Sequence, residues 1–310
     1  MTTTLLSHPA SRDHITPSGH PERVARIEAV EAALADARFD ALARETAPAA
    51  EEADLLRCHP PRYLAWLRDR IPAAGTQALD PDTHVSPGSL EAALHAAGAG
   101  CRAVDAVLEA ASGNAFCVAR PPGHHAEAER PMGFCLLGNP AIATRRALEH
   151  HGLARVAVVD FDVHHGNGTQ ALLWNEARVR FVSSHQMPLW PGSGGPDERG
   201  AHDQIRNLPL ALGSDGTAFR AAWEPALEWL DAYRPELVLV SAGFDGHRAD
   251  PLAGLALAEE DFVWITRALC DLADSHADGR LVSLLEGGYD LDALVACTTA
   301  HLEVLMERGR

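Results

Sequence analysis

Five polar or glycine-rich segments hold most of the side chains in this 310-residue chain that could do chemistry: RPPGHHAE (120–127), DFDVHHGNGTQ (160–170), SSHQMPLWPGSG (183–194), SAGFDGHRADP (241–251) and LEGGYD (285–290). Asp162 and His164 stand two apart on a segment that reads as extended, so their side chains project to the same side. Asp245, at the end of another extended run, can supply a third ligand. Two carboxylates and one imidazole with a position left open suit a catalytic Zn2+, or a related divalent ion such as Fe2+. His124–His125 follows a PPG turn; one of these imidazoles could take a proton from an activated water and return it to a leaving group. Asp160, two residues before Asp162, is either a further ligand or a carboxylate that orients one of the tandem histidines. Tyr289 follows two glycines, whose permissive backbone can bring a phenol close to the metal as an oxyanion donor. Gly133–Phe134 and Trp190 could wall a narrow apolar slot. Of the other tandem histidines, His150–His151 reads as a helix-end cap before Gly152, and His165 as structural. Each signal is weak alone, but all fit one metal-assisted amide hydrolysis.

Something must hold these segments together, and the runs before them say what. Ala115–Arg120, Arg155–Phe161, Val179–Ser184, Glu236–Ala242 and Arg280–Leu285 are short and mostly apolar without clean alternation, as in strands buried on both faces. Helical patterns lie between and around them, at Pro21–Ala37, Ser89–Ala111, Ala141–His150, Thr217–Tyr233, Glu259–Ser275 and Asp290–Arg308. Alternating strands and helices predict a parallel sheet with helices on both faces, a single α/β domain over residues 1–310. Each chemical segment then leaves the carboxyl end of a strand, where open α/β sheets bind ligands.

Composition narrows the function. Forty-three acidic against 26 basic residues give a formal charge of −17, which argues against nucleic acid as the main partner. All 26 basic residues are arginine, so no side-chain ε-amine exists to form a Schiff base or be acylated. The six cysteines form no C-x-x-C pair, and the first residues lack the basic and apolar regions of a signal peptide. No apolar run approaches the ~18 residues of a membrane span. A reduced, soluble, cytoplasmic protein that binds neither nucleic acid nor membrane is expected, and a homo-oligomer is compatible with this.

Seven motifs occur in order: GHPER (19–23), RPPGHHAE, GFCLLGN (133–139), DFDVHHGNGTQ, SHQMPLWPGSG, SAGFDGHRADPL and LEGGYD. The series resembles the zinc-dependent histone deacetylase family, in its bacterial class II-like deacetylase and amidohydrolase branch, from about residue 8 onward. The resemblance implies the arginase/deacetylase fold and hydrolysis of an acetyl-lysine side chain or a small acetylated amine, an acetylpolyamine being the alternative. It implies Asp162, His164 and Asp245 as zinc ligands and His125 as general base and acid. His124 becomes the neighbouring electrostatic histidine, oriented by Asp160, and Tyr289 the carbonyl and oxyanion donor. The Gly133 carbonyl would hold the attacking water. Phe134 and Trp190 would line the acyl-lysine tunnel, with Leu252 at its rim, and Arg26 would stand near the cavity that handles released acetate. A structural K+ would be held by Asp160, the Ser183 hydroxyl and main-chain carbonyls of Asp162, His164 and Ser184.

Asn167 stands where class I members place an aspartate beside the second histidine, and Trp190 is bulkier than the usual Phe or Tyr. Asp80 and Asp82 are candidates for a carboxylate near the mouth. A ureohydrolase of the arginase type needs acids for a second metal where this chain has Gly166 and His247. A non-catalytic binding protein usually loses a ligand or the tyrosine, and here the set is complete.

Overall fold

The five apolar runs become five adjacent strands of one sheet. The computed structural model describes residues 2–309. Its strands are β1 (Thr3–Ser7), β2 (Ala43–Thr46), a small β3 (Gln77–Ala78) and β4 (His84–Val85) hairpin, β5 (Asn114–Val118), β6 (Val156–Asp160), β7 (Val179–Gln186), β8 (Ile205–Leu210), β9 (Leu237–Ala242) and β10 (Leu281–Leu285). Eight of them form a sheet in the order β2-β1-β5-β10-β9-β6-β7-β8, with every neighbouring pair parallel. The crossovers carry helices, of which α1 (Val24–Ala33), α3 (Pro61–Asp69), α4 (Ser89–Leu108), α5 (Asn139–Glu149), α7 (Gly216–Tyr233), α8 (Glu259–His276) and α9 (Leu291–Arg308) are the longer ones. Two short helices, α2 (Glu52–Leu55) and α6 (Asn167–Leu173), complete the set.

Strand residues alternate between two cores, as a two-residue side-chain period requires. Ala157, Val159, Val238 and Val240 face α1, α7, α8 and α9, around Ile27, Trp223, Phe262 and Leu294. Val156, Val158, Leu237 and Leu239 face the other way, toward α3, α4 and α5, among Leu67, Ala97 and Ile142. With both faces covered, a central strand has no polar side to show, hence the continuous apolar runs.

Three sheet strands lie outside the expected set. The outer strands carry no apolar run because neither is covered on both faces: β2 (ARET) alternates half-buried and exposed residues, and β8 (IRNLPL) mixes buried with exposed ones. β1 (TTLLS) has only two apolar residues although it is buried almost throughout. The helix expected over Pro21–Ala37 is shorter, because the chain before Val24 turns inward to bury Glu22. Among the described residues, no helix is long and apolar enough to cross a membrane, and all six cysteines are buried and unpaired.

Candidate active site

Parallel pairing puts the carboxyl ends of β5, β10, β9, β6 and β7 side by side, and the five chemical segments leave from there. Asp160 pairs in register with Ser183 on β7 and Ser241 on β9, so the segment beyond β6 emerges between its neighbours. Asp162, His164 and Asp245 converge there, with one ligating atom from each lying within 4.8 Å of the others. His164 Nδ1 is 3.1 Å from Asp245 Oδ2 and 3.3 Å from Asp162 Oδ1. Backbone amides fix both carboxylates: Val163 N–H donates to Asp245 Oδ1 and Gly287 N–H to Asp162 Oδ2, each at 2.9 Å.

The electrostatics of this triad call for positive charge. Burial would lower the His164 imidazole, but its bonds to Asp162 and Asp245, and their charges, outweigh burial and raise it to about 10. A proton is thus retained between two buried carboxylates that would otherwise repel. A divalent cation answers the same demand while displacing that proton. The donor set and its electrostatics fit a metal.

The tandem histidines are held differently. His124 Nδ1–H donates to Asp160 Oδ2 and His125 Nδ1–H to Asn167 Oδ1, both at 2.9 Å. Burial would lower His124, yet Asp162, Asp160 and Glu286 raise it well above its ordinary value. Burial, then His124 and His164, push His125 well below its own. Two neighbouring imidazoles are driven apart, one toward the cation and one toward the free base. With Nδ1 spent on Asn167, His125 Nε2 is the nitrogen left to accept a proton.

His125, His164 and Tyr289 share a cavity of about 340 Å3 with Gly133, Phe134, Trp190 and Leu252. A tight turn builds one wall. Met132 and Cys135 exchange both backbone hydrogen bonds, at 3.2 and 2.9 Å, around Gly133 and Phe134 at φ +55° and +68°. Two central residues with positive φ make a type I′ turn. Gly133 has no substitute there, since a Cβ would run into the rings of both His125 and Trp190. Trp190 stands edge-on to His125 at 4.7 Å between ring centroids, and Phe134 edge-on to Tyr289 at 5.8 Å. The Tyr289 phenol is raised well above its ordinary range by burial and then by Asp245, so it stays protonated as a donor.

Arg26 lies behind this cavity. It donates to the carbonyls of Gly288 and Glu286, both at 2.6 Å, and its guanidinium is 5.0 Å from the Tyr289 ring centroid. The K+ candidates are close neighbours at the β6 and β7 ends: the Ser183 hydroxyl is 3.1 Å from His185 Nδ1, and the buried Ser184 hydroxyl has no hydrogen-bond partner among the described residues. His165 is occupied by Ser193 and Gln170, and His151 by Asp105.

Sequence reasoning missed three residues. His20 and His84 line the cavity, and Glu22 lies under it, fully buried. The GHPER motif was the available signal for His20 and Glu22. Glu22 pairs with Arg120 through both carboxylate oxygens, with Arg26 at 3.1 Å and with His14 at 3.5 Å. Glu22→Ala would strand two buried guanidiniums. We expect a loss of about 3–5 kcal/mol of stability, read from the denaturation midpoint; a loss below about 1 kcal/mol would contradict this role.

Fold and site together fit a hydrolase of the metal-dependent, amide-cleaving class. The sequence matches the family model described as the histone deacetylase domain over residues 20–305. The histone deacetylase-like amidohydrolase of Pseudomonas aeruginosa is 41% identical over 266 residues, 84% of this chain and 70% of that protein. A protein of Archaeoglobus fulgidus named "Probable deacetylase" is 37% identical over 82% of this chain and 71% of its own length. The crystal structure of the HDA15 HD domain superposes with a TM-score of 0.93 at 30% identity, covering 99% of this chain and 88% of that one. This chain belongs to the histone deacetylase family, and its activity is that of a deacetylase or amidohydrolase. Zinc dependence is general in that family, and the buried triad is where this chain would meet it.

Proposed function

We propose that this protein hydrolyses N-acetyl amides, with acetyl-lysine side chains or a related small acetylated amine as substrate, and releases acetate. The supporting observation is the cavity itself, which the aromatic Phe134 and Trp190 line together with His125, His164 and Tyr289. Such a slot suits a slender aliphatic linker carrying an acetamide. Asp162, His164 and Asp245 would hold Zn2+, with Fe2+ as the alternative. When bound, the ion supplies Lewis-acid polarisation of the amide carbonyl and acidifies the attacking water. The chain's own residues do the rest. The Gly133 carbonyl orients that water, and His125 takes its proton and passes it to the leaving amine. His124, bonded to Asp160, contributes positive charge, and the Tyr289 hydroxyl donates to the carbonyl oxygen as it becomes an oxyanion. Asp160, Ser183 and the carbonyls of Asp162, His164 and Ser184 would hold K+ beneath the site. Arg26 would serve acetate release from behind Tyr289.

One observation favours acetylpolyamine as the second reading. Asp82 lines the same cavity as the neutral rim residue Leu252, and a carboxylate there could pair a distal amine. Asp80 is committed elsewhere, because its Oδ1 accepts the backbone amides of Asp82 and Thr83 and so fixes the turn. Kinetics on an acetyl-lysine peptide, N-acetylputrescine and N8-acetylspermidine decide between the readings. The peptide is expected to match or exceed both polyamines. A kcat/KM for either polyamine more than about tenfold higher, ~1.4 kcal/mol in transition-state binding, would reverse the order.

A further inference from the structure

We propose that Asp250 is the positioning residue for Tyr289, through one buried carboxylate that ties the loop after β9 to the loop after β10. This rests on the role proposed above for Tyr289. Asp250 Oδ1 accepts the Leu252 amide at 3.0 Å, and Oδ2 accepts the Tyr289 amide at 2.7 Å. The first bond closes a local turn. The second crosses 39 residues of sequence and ends on the backbone of the tyrosine itself.

That tyrosine needs an anchor. Two glycines precede it, and Gly288 has φ +125°, a conformation that restrains nothing by itself. The phenol makes no side-chain hydrogen bond within the protein among the described residues, so backbone placement and ring packing alone aim it. Arg26 grips this loop by the carbonyls of Glu286 and Gly288, and Asp250 grips it by the next amide. The rim residue Leu252 hangs from the same carboxylate, so the mouth of the cavity and its oxyanion donor share one support.

Two substitutions test this. Asp250→Ser leaves a hydroxyl long enough for the local turn to Leu252 but too short to reach Tyr289. Asp250→Asn keeps the size but replaces one of two acceptors with a donor that faces an amide N–H. Both variants should keep stoichiometric zinc and a KM within about twofold, while kcat falls about tenfold to a hundredfold, the scale of a misplaced reacting group. Introduced into Tyr289→Phe, neither should cost more than about twofold further, since the group being positioned is already gone. Hydrogen exchange should quicken at the Tyr289 amide and stay unchanged along β6. Equal losses in both backgrounds, loss of zinc in step with activity, or unaltered exchange at Tyr289 would each overturn the proposal. If the unmodified protein is inert toward acetylated amides, the functional reading fails instead, and the exchange experiment still decides whether Asp250 bridges the loops.

Discussion

Tyr289→Phe is expected to lower turnover about 100- to 1000-fold, or ~2.7–4 kcal/mol in transition-state stabilisation, while zinc content and fold stay as they were. The substitution removes one oxygen from a buried ring. The ring keeps its contacts with Phe134 and with the Arg26 guanidinium, so packing should not account for the loss. The hydroxyl is suited to donation: burial and the charge of Asp245 keep its proton on. Because the donation strengthens as the carbonyl oxygen gains charge, the deficit should fall on kcat more than on KM. Turnover near that of the unmodified protein would count decisively against the mechanism. So would an acyl group trapped on any side chain, since the proposed route attacks the amide with water alone.

Asp245→Ala should abolish metal binding and activity together and leave the protein folded. Asp245 supplies one of two carboxylates around His164. It lies in the loop after β9, outside the pairings of that strand with β10 and β6, so the sheet does not depend on it. Removing it relieves repulsion with Asp162 and leaves two donors where a firmly held divalent ion needs at least three. Metal analysis of the purified variant, with circular dichroism as the control for folding, reads the outcome. A variant that retains stoichiometric zinc would show that the ligand assignment is wrong.

How much of this could be read from residues alone depends on how local each signal is. The central strands were legible because burial on both faces forces uninterrupted apolar runs, and the chemical segments were legible because each follows such a run. The proposed metal triad needed only a two-residue spacing and one residue from the segment after another strand. The outer strands β2 and β8 were not legible, since half-exposed strands this short carry too little pattern to stand out from loops. The turn at Gly133–Phe134 was equally hidden, because Phe at positive φ contradicts its own propensity and is held there by bonds between Met132 and Cys135. Glu22 escaped notice for a third reason. A glutamate in a basic motif reads as a solvated charge, and only the folded chain brings Arg26, Arg120 and His14 around it.

The position of β10 bears on the order in which the molecule can be assembled. It is the last strand in sequence, yet it lies between β5 and β9 near the middle of the sheet. Translation delivers every other strand before it, and domains form from the N-terminal side as the chain emerges. Until residues 281–285 arrive, β2-β1-β5 and β9-β6-β7-β8 have no strand to join them. The second group already carries Asp162, His164 and Asp245, whereas His124 and His125 follow β5 and Tyr289 follows β10 itself. The nascent chain therefore holds the three residues proposed as metal ligands before it holds the tyrosine proposed as the oxyanion donor, and the Gly287 amide that fixes Asp162 arrives only after β10. Insertion of one five-residue strand joins the two groups of the sheet and brings the proposed site together, a long-range pairing of the kind that folds slowly in parallel sheets.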